Sequence, residues 1–327
     1  MWKGMVIKME ITLAEFKEQY LPELREQFYS AVQKSIVENK QEITEKLEKQ
    51  VKSFLHIMGT FQNAVSIELG EMQIALLYSS VCMGEPQICI SAYGQDKLLG
   101  EEILHIKYRC DWLFSEWETY QKNIERKIQE IHAERYIRKA AVKLMMNQSI
   151  MFLIYSLYAI MKYQFMEFDR FEEYDNLILT EDFRVTVGGY RDWHRTLYQR
   201  REPIDIFMRE QENPLTYCTF HGAVYHKKKF SKLNLSHARF YECEFVHCEF
   251  DDVILQDCIF ENCRIYHCTF HETAFYGATF RNSILKMNQL DKTYWSYEVE
   301  QQPEDLFKEV EFIECENDGT FSEGESK

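Results

Sequence analysis

Apolar residues recur at every fifth position in the last third of the chain, from residue 220 to residue 290. Most of these large residues are preceded, two positions earlier, by a small one such as Cys, Ala, Ser, Thr or Val, and the remaining positions are largely polar. A period of five fits neither an amphipathic helix nor a half-buried strand, whose apolar residues recur about every 3.6 and every 2 residues. The pattern predicts a repeat architecture in which a large and a small side chain of each repeat both point into a shared core.

This repeat predicts an all-β, right-handed quadrilateral β-helix over residues 214–292. If each five-residue segment forms one side, a turn takes 20 residues, and successive turns stack about 4.8 Å apart with backbone hydrogen bonds between them. Burial of each Phe or Leu contributes on the order of 2 kcal/mol, so the array is stable only when neighbouring coils share one core. The predicted core residues are Phe220, Phe240, Phe245, Phe250, Leu255, Phe260, Ile265, Phe270, Phe275, Phe280 and Leu285, with the small residues Cys243, Cys248, Cys258, Cys263 and Cys268.

Residues 1–213 show helical and strand periods instead, and they predict an α+β domain with long amphipathic helices. Thr12 and Glu15 have the spacing of a capping box at the start of a first helix. Apolar residues three and four apart predict a long helix that begins at Pro22, breaks near Asn39 and ends at Gly59. A second stretch of this kind runs from residue 113 to residue 165.

Strand and terminal signals complete the organisation. Alternating residues at 64–69 and 87–92 predict two strands, and the GlyGly pair within residues 184–191 predicts a hairpin with a type I′ turn. The acidic segment 293–327 predicts a short helix around Leu306, Phe307 and Val310 that caps the last coil. The remainder of that segment predicts a disordered tail.

The uncharged run at residues 144–161 has about the length of a membrane span. It contains Asn147, Gln148 and Ser149, and its strictly apolar part is too short to cross a bilayer. We therefore predict a buried helix and no stable membrane span, with a membrane-associated or membrane-inserted helix as the alternative. The apolar stripes of the long helices predict an intramolecular core, with a homo-oligomer through a coiled coil as the alternative.

Composition and charge restrict the class of partner. A chain of 327 residues with 46 % hydrophobic residues can bury real cores. The formal net charge of −15 is opposed to general affinity for nucleic acid or anionic membrane, because both need clustered Lys and Arg. No apolar stretch follows a basic start in the first residues, which predicts a cytoplasmic location.

The cysteines follow the repeat rather than a metal motif. The sequence has ten Cys and no CxxC pair, so the pattern favours buried thiols over disulfides or zinc. A 20-residue turn aligns Cys243 with Cys263 and Cys248 with Cys268 inside, and on the outside it aligns His247 with His267 and groups Asp251, His271 and Asp291 in one column. The sequence contains no GxxxxGK[ST], GxGxxG, GxSxG or HExxH motif, and we predict no catalytic residue, no cofactor and no metal.

The repeats resemble the pentapeptide-repeat family, whose pattern is a small residue, a polar residue, Leu or Phe, and two variable residues. The segments ARFYE, CEFVH, CEFDD, CIFEN, CTFHE and ATFRN match that pattern as they stand. The resemblance covers residues 220–290, and it implies the β-helical fold while saying little about function. Members of the family include topoisomerase-protecting quinolone-resistance proteins and bacterial effectors.

These observations predict a non-enzymatic interaction, scaffold or adaptor protein that presents a rigid repeat surface to a protein partner, as part of a larger bacterial assembly. One alternative is an effector or enzyme whose activity lies in residues 1–213, which a deep polar cleft with converging titratable groups would favour. A second alternative is a DNA-mimicking topoisomerase protector. It is disfavoured because acidic and basic residues balance within 215–290, whereas the resemblance implies a strongly acidic rod for such proteins.

Overall fold

The computed structural model describes residues 11–94, 102–201, 204–207, 215–295 and 306–317. The chain divides into two compact units, residues 1–178 with 185–197 and residues 179–184 with 198–327. The N-terminal region is α/β, and the C-terminal region consists of parallel strands in stacked sheets, consistent with a β-helix. The predicted domain boundary between residues 213 and 214 lies outside the described residues.

The helices of the N-terminal region follow its apolar period. They are α1 (Leu13–Gln19), α2 (Leu21–Glu38), α3 (Lys40–Val65), α4 (Tyr78–Cys82), α5 (Trp117–Glu130), α6 (Lys139–Asn147) and α7 (Ile150–Phe165). The capping box is confirmed, because Thr12 Oγ1 accepts a hydrogen bond from the Glu15 N–H at 3.3 Å and the Thr12 N–H donates to Glu15 Oε2 at 2.8 Å. The predicted break at Asn39 is also confirmed.

Two predictions about helix ends are wrong. Gly59 lies inside α3, which continues to Val65. A helical glycine costs about 1 kcal/mol, and burial of neighbours such as Phe54 and Met58 outweighs that cost. The second predicted helix is divided, because residues 131–138 form turns between α5 and α6 and His132 takes a positive φ of 56°.

A five-stranded sheet accompanies these helices, in the order β3-β2-β1-β4-β5. Its strands are β1 (Leu69–Leu76), β2 (Gln87–Tyr93), β3 (Glu102–Arg109), β4 (Leu179–Gly189) and β5 (His194–Gln199), and β2 pairs antiparallel with both β1 and β3. The strand predicted at residues 87–92 is confirmed. The strand predicted at 64–69 is wrong, since α3 extends through Val65 and β1 begins only at Leu69.

The predicted hairpin is present, but its turn is misplaced. Gly188 and Gly189 lie inside β4, and the chain reverses at residues 190–193. A Cβ atom on Gly188 would lie 2.0 Å from the Trp193 carbonyl oxygen, so glycine is needed there for the close approach of the two strands.

The C-terminal region contains three parallel sheets of stacked strands. The first consists of β6 (Thr219–His221), β9 (Arg239–Tyr241), β12 (Ile259–Glu261), β15 (Thr279–Arg281) and β18 (Phe307–Lys308). The second consists of β7 (Val224–His226), β10 (Glu244–Val246), β13 (Arg264–Tyr266), β16 (Ile284–Lys286) and β19 (Glu311–Ile313). The third consists of β8 (Lys229–Ser231), β11 (Glu249–Asp251), β14 (Thr269–His271), β17 (Gln289–Asp291) and β20 (Glu316–Asn317). A further column of single parallel bridges joins Asn234, Ile254, Ala274 and Tyr294.

The register of these sheets reproduces the 20-residue turn, because Phe220 pairs with Phe240 and Phe240 with Phe260. The large inner residues are buried and form one cluster, and their rings stack along the column. The Phe240 and Phe260 centroids, for example, lie 4.8 Å apart with 11° between the ring planes. The right-handed, quadrilateral form of the coil stays a prediction.

The last coil replaces the predicted cap helix. Residues around Leu306, Phe307 and Val310 have helical spacing, yet β18, β19 and β20 add a further strand to each sheet. The reason is the open edge of the preceding coil, where the Asn282 N–H donates to the Lys308 carbonyl at 2.9 Å. The predicted disordered tail lies outside the described residues from 318 onward.

Candidate functional site

The small inner residues bind the backbone of the preceding coil. Cys258 Sγ donates a hydrogen bond to the Leu235 carbonyl at 3.0 Å. The same bond, to a carbonyl 23 residues earlier, is made by Cys243, Cys248, Cys263 and Cys268. Each thiol therefore adds a hydrogen bond between neighbouring coils.

Other polar residues take the same place in later repeats. Ser283 Oγ donates to the Phe260 carbonyl at 3.2 Å and accepts from the Cys263 N–H at 3.0 Å. Asn288 Nδ2 donates to the Ile265 carbonyl at 2.9 Å, and its Oδ1 accepts from the Cys268 N–H at 2.8 Å. Because a hydroxyl or an amide can replace the thiol here, the inner cysteines act as hydrogen-bond donors of the fold.

The pKa of Cys258, Cys263 and Cys268 agrees with that role, whereas the hydrogen bonds with Cys263 and Cys268 lower the pKa of Cys243 and that of Cys248, the latter to about 7. Burial raises the pKa of Cys258 well above its usual value. The hydrogen bonds that Cys263 and Cys268 share with Cys243 and Cys248, together with burial, raise the pKa of Cys263 and Cys268. Nucleophilic and metal-binding cysteines need the thiolate form, which a raised pKa disfavours.

The corners of the coil turn through left-handed backbone conformations. His247, His267 and Met287 have φ values of 52°, 53° and 54°. The His247 N–H donates to the Tyr266 carbonyl of the next coil at 2.9 Å. Each corner is thereby fixed by a hydrogen bond between coils, and the outward side chains form regular columns.

One outward face of the coil, here called the charged face, is formed by the outward side chains of β8, β11, β14 and β17. Its charges pair with one another: Lys229 Nζ lies 3.6 Å from Glu249 Oε2, and His271 Nδ1 lies 2.7 Å from Asp291 Oδ2. These side chains are exposed, and such pairs contribute about 0–1 kcal/mol each. The charged face is a solvated surface.

A second outward face, here called the bridge face, is uncharged. It is formed by the bridge column Asn234, Ile254, Ala274 and Tyr294 and by Ser236, Gln256 and Tyr276, two residues further along the chain from the first three. Ile254, Tyr276 and Tyr294 are 40 %, 40 % and 47 % exposed. Interface cores are depleted in charge and enriched in Tyr, so the bridge face has the composition of a protein-binding surface.

A third outward face is covered. Arg239, Ile259 and Thr279 are buried although they occupy outward positions of the first sheet. The Arg239 guanidinium lies 4.6 Å from the Tyr198 ring centroid, and Arg239 Nε donates to Thr219 Oγ1 at 2.9 Å. This face is therefore not available to a partner.

The outer histidines are aligned as the 20-residue turn requires. The rings of His247 and His267 stack with centroids 4.8 Å apart and 16° between their planes. Asp251, His271 and Asp291 lie in one column. Among the residues that the structure describes, no group of three or more His, Cys, Asp or Glu is arranged to hold a metal ion.

The N-terminal region contains a polar cleft of about 380 Å³, lined in part by Glu48, Lys52, Glu167 and Arg170. Lys52 Nζ lies 2.5 Å from Glu48 Oε1, and Arg170 Nε lies 3.0 Å from Glu167 Oε1. The hydrogen bond that Lys52 donates to Glu48 raises the pKa of Lys52 and keeps it charged. Mutual pairing of these groups favours a structural ion-pair cluster over acid–base chemistry.

Within the described parts of the chain, one helical stretch, Lys139–Phe165, is long and apolar enough to cross a membrane by length and composition. Of its most apolar window, 67 % is buried inside the protein. A core helix meets the same criterion, so the stretch alone does not indicate a span.

A family model matches the repeat region of the chain, and solved structures match about a third of the chain. The family model for the luminal domain of SV2A/B/C matches residues 213–290. The pentapeptide-repeat protein Rfr23 from the cyanobacterium Cyanothece 51142 is 12 % identical over 32 % of this chain and 89 % of its own, with a TM-score of 0.17. Two trypsin-treated forms of QnrB1, a plasmid-mediated fluoroquinolone resistance protein, are 12 % and 14 % identical over 34 % and 31 % of this chain and 88 % and 68 % of their own, with TM-scores of 0.11 and 0.10. No curated protein matches the sequence.

The structural neighbours are pentapeptide-repeat proteins over about a third of the chain, as the resemblance in the sequence implies. At these identities and TM-scores the likeness carries no conclusion about function.

The predicted cytoplasmic location is overturned by the family match. The model that matches residues 213–290 describes a luminal domain, which points away from the cytoplasm. The prediction depended on the absence of an apolar leader in the first residues, and that absence does not fix a compartment.

Proposed function

We propose that this chain is a non-enzymatic interaction protein, an adaptor or scaffold, in which the bridge face of the repeat region binds a protein partner. The observation that supports the proposal is the exposure of Ile254, Tyr276 and Tyr294 on one uncharged face. Aromatic and aliphatic side chains that are exposed together favour a macromolecular contact.

The coil beneath this face gives it rigidity. The Ile254 N–H donates to the Leu233 carbonyl at 2.9 Å, and the Leu255 N–H donates to the Ala274 carbonyl at 2.8 Å. Leu255 and Phe275 are buried directly behind the face. A surface that is already ordered loses little conformational entropy on binding, which favours affinity. In the proposed right-handed quadrilateral β-helix, the bridge face is one flat side.

The class of partner follows from charge. The bridge face has no clustered Lys or Arg, so we propose a protein partner and not nucleic acid. The buried share of Lys139–Phe165 supports the absence of a stable membrane span. Homo-oligomerisation through the long helices stays a proposal that a molar mass in solution tests.

The test is affinity capture from the cells that make the protein. Full-length protein is compared with an Ile254→Asp/Tyr294→Ser variant of the bridge face and with a Lys229→Ala/Glu249→Ala variant of the charged face. We expect the bridge-face variant to lose a partner that the charged-face variant retains. Circular dichroism and urea unfolding establish that both variants are folded. If the bridge-face variant retains every partner of the wild type, the proposal is wrong.

A further inference from the structure

The turn before α6 and the first half of that helix carry cations that lack acidic partners among the described residues. Residues 135–166 contain no Asp or Glu, although 53 of the 327 residues of the chain are acidic. Arg135, Arg138, Lys139 and Lys143 are exposed, and none of them forms an ion pair with the described residues.

In other helices of the same region, lysines form ion pairs with acidic residues of the same helix. In α3, Lys46 Nζ lies 2.6 Å from Glu42 Oε1, and in α5, Lys122 Nζ lies 2.8 Å from Glu118 Oε1. These pairs are formed one helical turn apart, the spacing that stabilises an isolated helix surface. Unlike these paired lysines, the cations near α6 are available to an anionic partner.

Exposed apolar side chains adjoin these cations. Leu144, Met151 and Tyr155 follow one another at helical spacing and are 56 %, 36 % and 45 % exposed. Met83, which is 74 % exposed, lines a cavity of about 250 Å³ together with Lys143. The cationic and apolar side chains thus share one surface.

An aromatic cluster extends this surface at the other end. The rings of Tyr155 and Trp193 lie 5.3 Å apart, and Trp193 is 37 % exposed. The Arg195 guanidinium lies 5.7 Å and 5.4 Å from these two ring centroids, and it has no carboxylate partner among the described residues.

Tyr78 lies between Met151 and the loop that carries Trp193. The Tyr78 hydroxyl lies 3.5 Å from Met151 Sδ and donates to Asp192 Oδ2 at 3.1 Å. Asp192 is a carboxylate at this surface, and its hydrogen bond to Tyr78 holds it beside Trp193. Tyr78 therefore connects Met151 with the loop that carries Trp193.

We propose that this surface binds an anionic lipid membrane, with the protein lying on the bilayer and not crossing it. It consists of Met83, Leu144, Met151, Tyr155 and Trp193 together with the cations Arg135, Arg138, Lys139, Lys143 and Arg195. Tyr and Trp side chains favour the headgroup level of a bilayer, apolar side chains enter the acyl boundary, and Lys and Arg attract anionic headgroups.

The arrangement of the apolar residues favours lipid over a protein groove. Leu144 is an exposed residue of α6, and Met151 and Tyr155 are exposed residues of α7 one turn apart. Separate projecting side chains suit a fluid boundary, whereas a protein partner is usually held in a fitted pocket. The net charge of −15 opposes contact of other faces with the membrane, so binding depends on this surface.

The test is co-flotation of the full-length protein with phosphatidylcholine vesicles that either contain or lack phosphatidylserine, at low and at high salt. We expect flotation with the anionic vesicles, weakened by salt. Each lysine contributes about fivefold, so a Lys139→Gln/Lys143→Gln variant should bind about 25-fold more weakly. A Leu144→Ser/Tyr155→Ser variant should also lose binding, because the apolar insertion is removed.

The matched control is Lys227→Gln/Lys232→Gln, which removes two exposed, unpaired cations from corners of the repeat region. This variant should float like the wild type. Absence of flotation with anionic vesicles at low salt would overturn the proposal, and so would equal losses in the control and the α6 variant. If vesicles are not bound but the α6 variant loses a captured acidic protein, the surface is a protein-binding site and the membrane assignment is wrong. The bridge face belongs to the other compact unit, so these outcomes do not depend on the proposed function.

Discussion

Replacement of Phe260 by Ala removes one ring from the middle of a stacked column. Phe260 is 2 % exposed, and its ring lies 4.8 Å from that of Phe240 and 4.7 Å from that of Phe280. Both neighbouring rings are nearly parallel to it, at 11° and 6°. The substitution therefore removes contacts with the coil before and the coil after.

The expected loss can be built from these contacts. Burial of a Phe side chain contributes about 1.5–3 kcal/mol. Each of the two stacked ring pairs adds about 0.5–1.5 kcal/mol. The sum agrees with the roughly 3–5 kcal/mol that a Phe→Ala change costs in a packed core. Because each coil of a repeat protein contacts only its neighbours, the loss should be concentrated in the repeat region.

Phe312 provides a matched control within the same array. It is the partner of Leu285 in the last coil and is 44 % exposed. Phe312→Ala should lower the free energy of unfolding by less than about 1 kcal/mol, because little buried surface is removed. Comparison of the two variants therefore separates core packing from general effects of the substitution.

The assay is native-state hydrogen exchange of the full chain, read by mass spectrometry on peptides from residues 259–281. This measurement reports the opening of the repeat region separately from the N-terminal unit, which matters because a chain with two compact units need not unfold in one step. An equal loss in Phe260→Ala and Phe312→Ala, or no loss in Phe260→Ala, would refute the shared inner core.

Two further predictions concern the corners and the thiols. Met287→Gly should raise the melting temperature, because the left-handed conformation at its φ of 54° costs a non-glycine residue about 1–2 kcal/mol, whereas Met287→Val should lower it; the opposite order would contradict the corner geometry. The pKa of Cys258, Cys263 and Cys268 is raised, so these thiols stay protonated in the folded protein. Their contribution to the free energy of unfolding is therefore complete below the unfolded pKa of about 8.5. Above that pH it declines by about 1.4 kcal/mol per pH unit for each thiol. Urea unfolding between neutral and alkaline pH should show this decline, and a triple Cys→Ser variant should reduce it; an unchanged slope would show that the thiols are not its cause.

The repeat region was predictable because its period is strict. A large residue at every fifth position fixes the phase of the whole segment, and the pairing of Phe240 with Phe260 is the direct result. The last coil was not predicted because its residues do not continue the 20-residue spacing of the preceding coils. Phe280 pairs with Phe307 and Leu285 with Phe312, a spacing of 27 residues rather than 20. Cys315 was the signal in the sequence that could have indicated this coil, because it is one more small residue of the inner type. In the structure its Sγ donates to the Leu285 carbonyl at 3.3 Å, as the other inner cysteines donate to carbonyls of the coil before them.

The N-terminal region was less predictable because local signals compete with tertiary packing. Gly59 is a helix-ending signal that the buried face of α3 overrides. The GlyGly pair indicates a turn, but a close approach to Trp193 is the reason for glycine at Gly188. The candidate faces were predictable only in part. The 20-residue turn aligns Ile254 with Ala274, yet nothing in the period indicates that the face of Arg239 is covered and the bridge face is exposed.

The acidic segment after the repeats acquires a physical role from the last coil. An array of parallel strands ends in an unpaired edge, and an apolar edge would recruit a second chain. In the last coil Phe312, the register partner of Leu285, is 44 % exposed, so the apolar inner wall is less completely buried here. The outward positions are occupied by the exposed residues Glu309, Glu311, Glu314 and Glu316. Like charges along an edge oppose its pairing with another copy, so the acidic residues that suggested a cap helix instead protect the end of the array as strands.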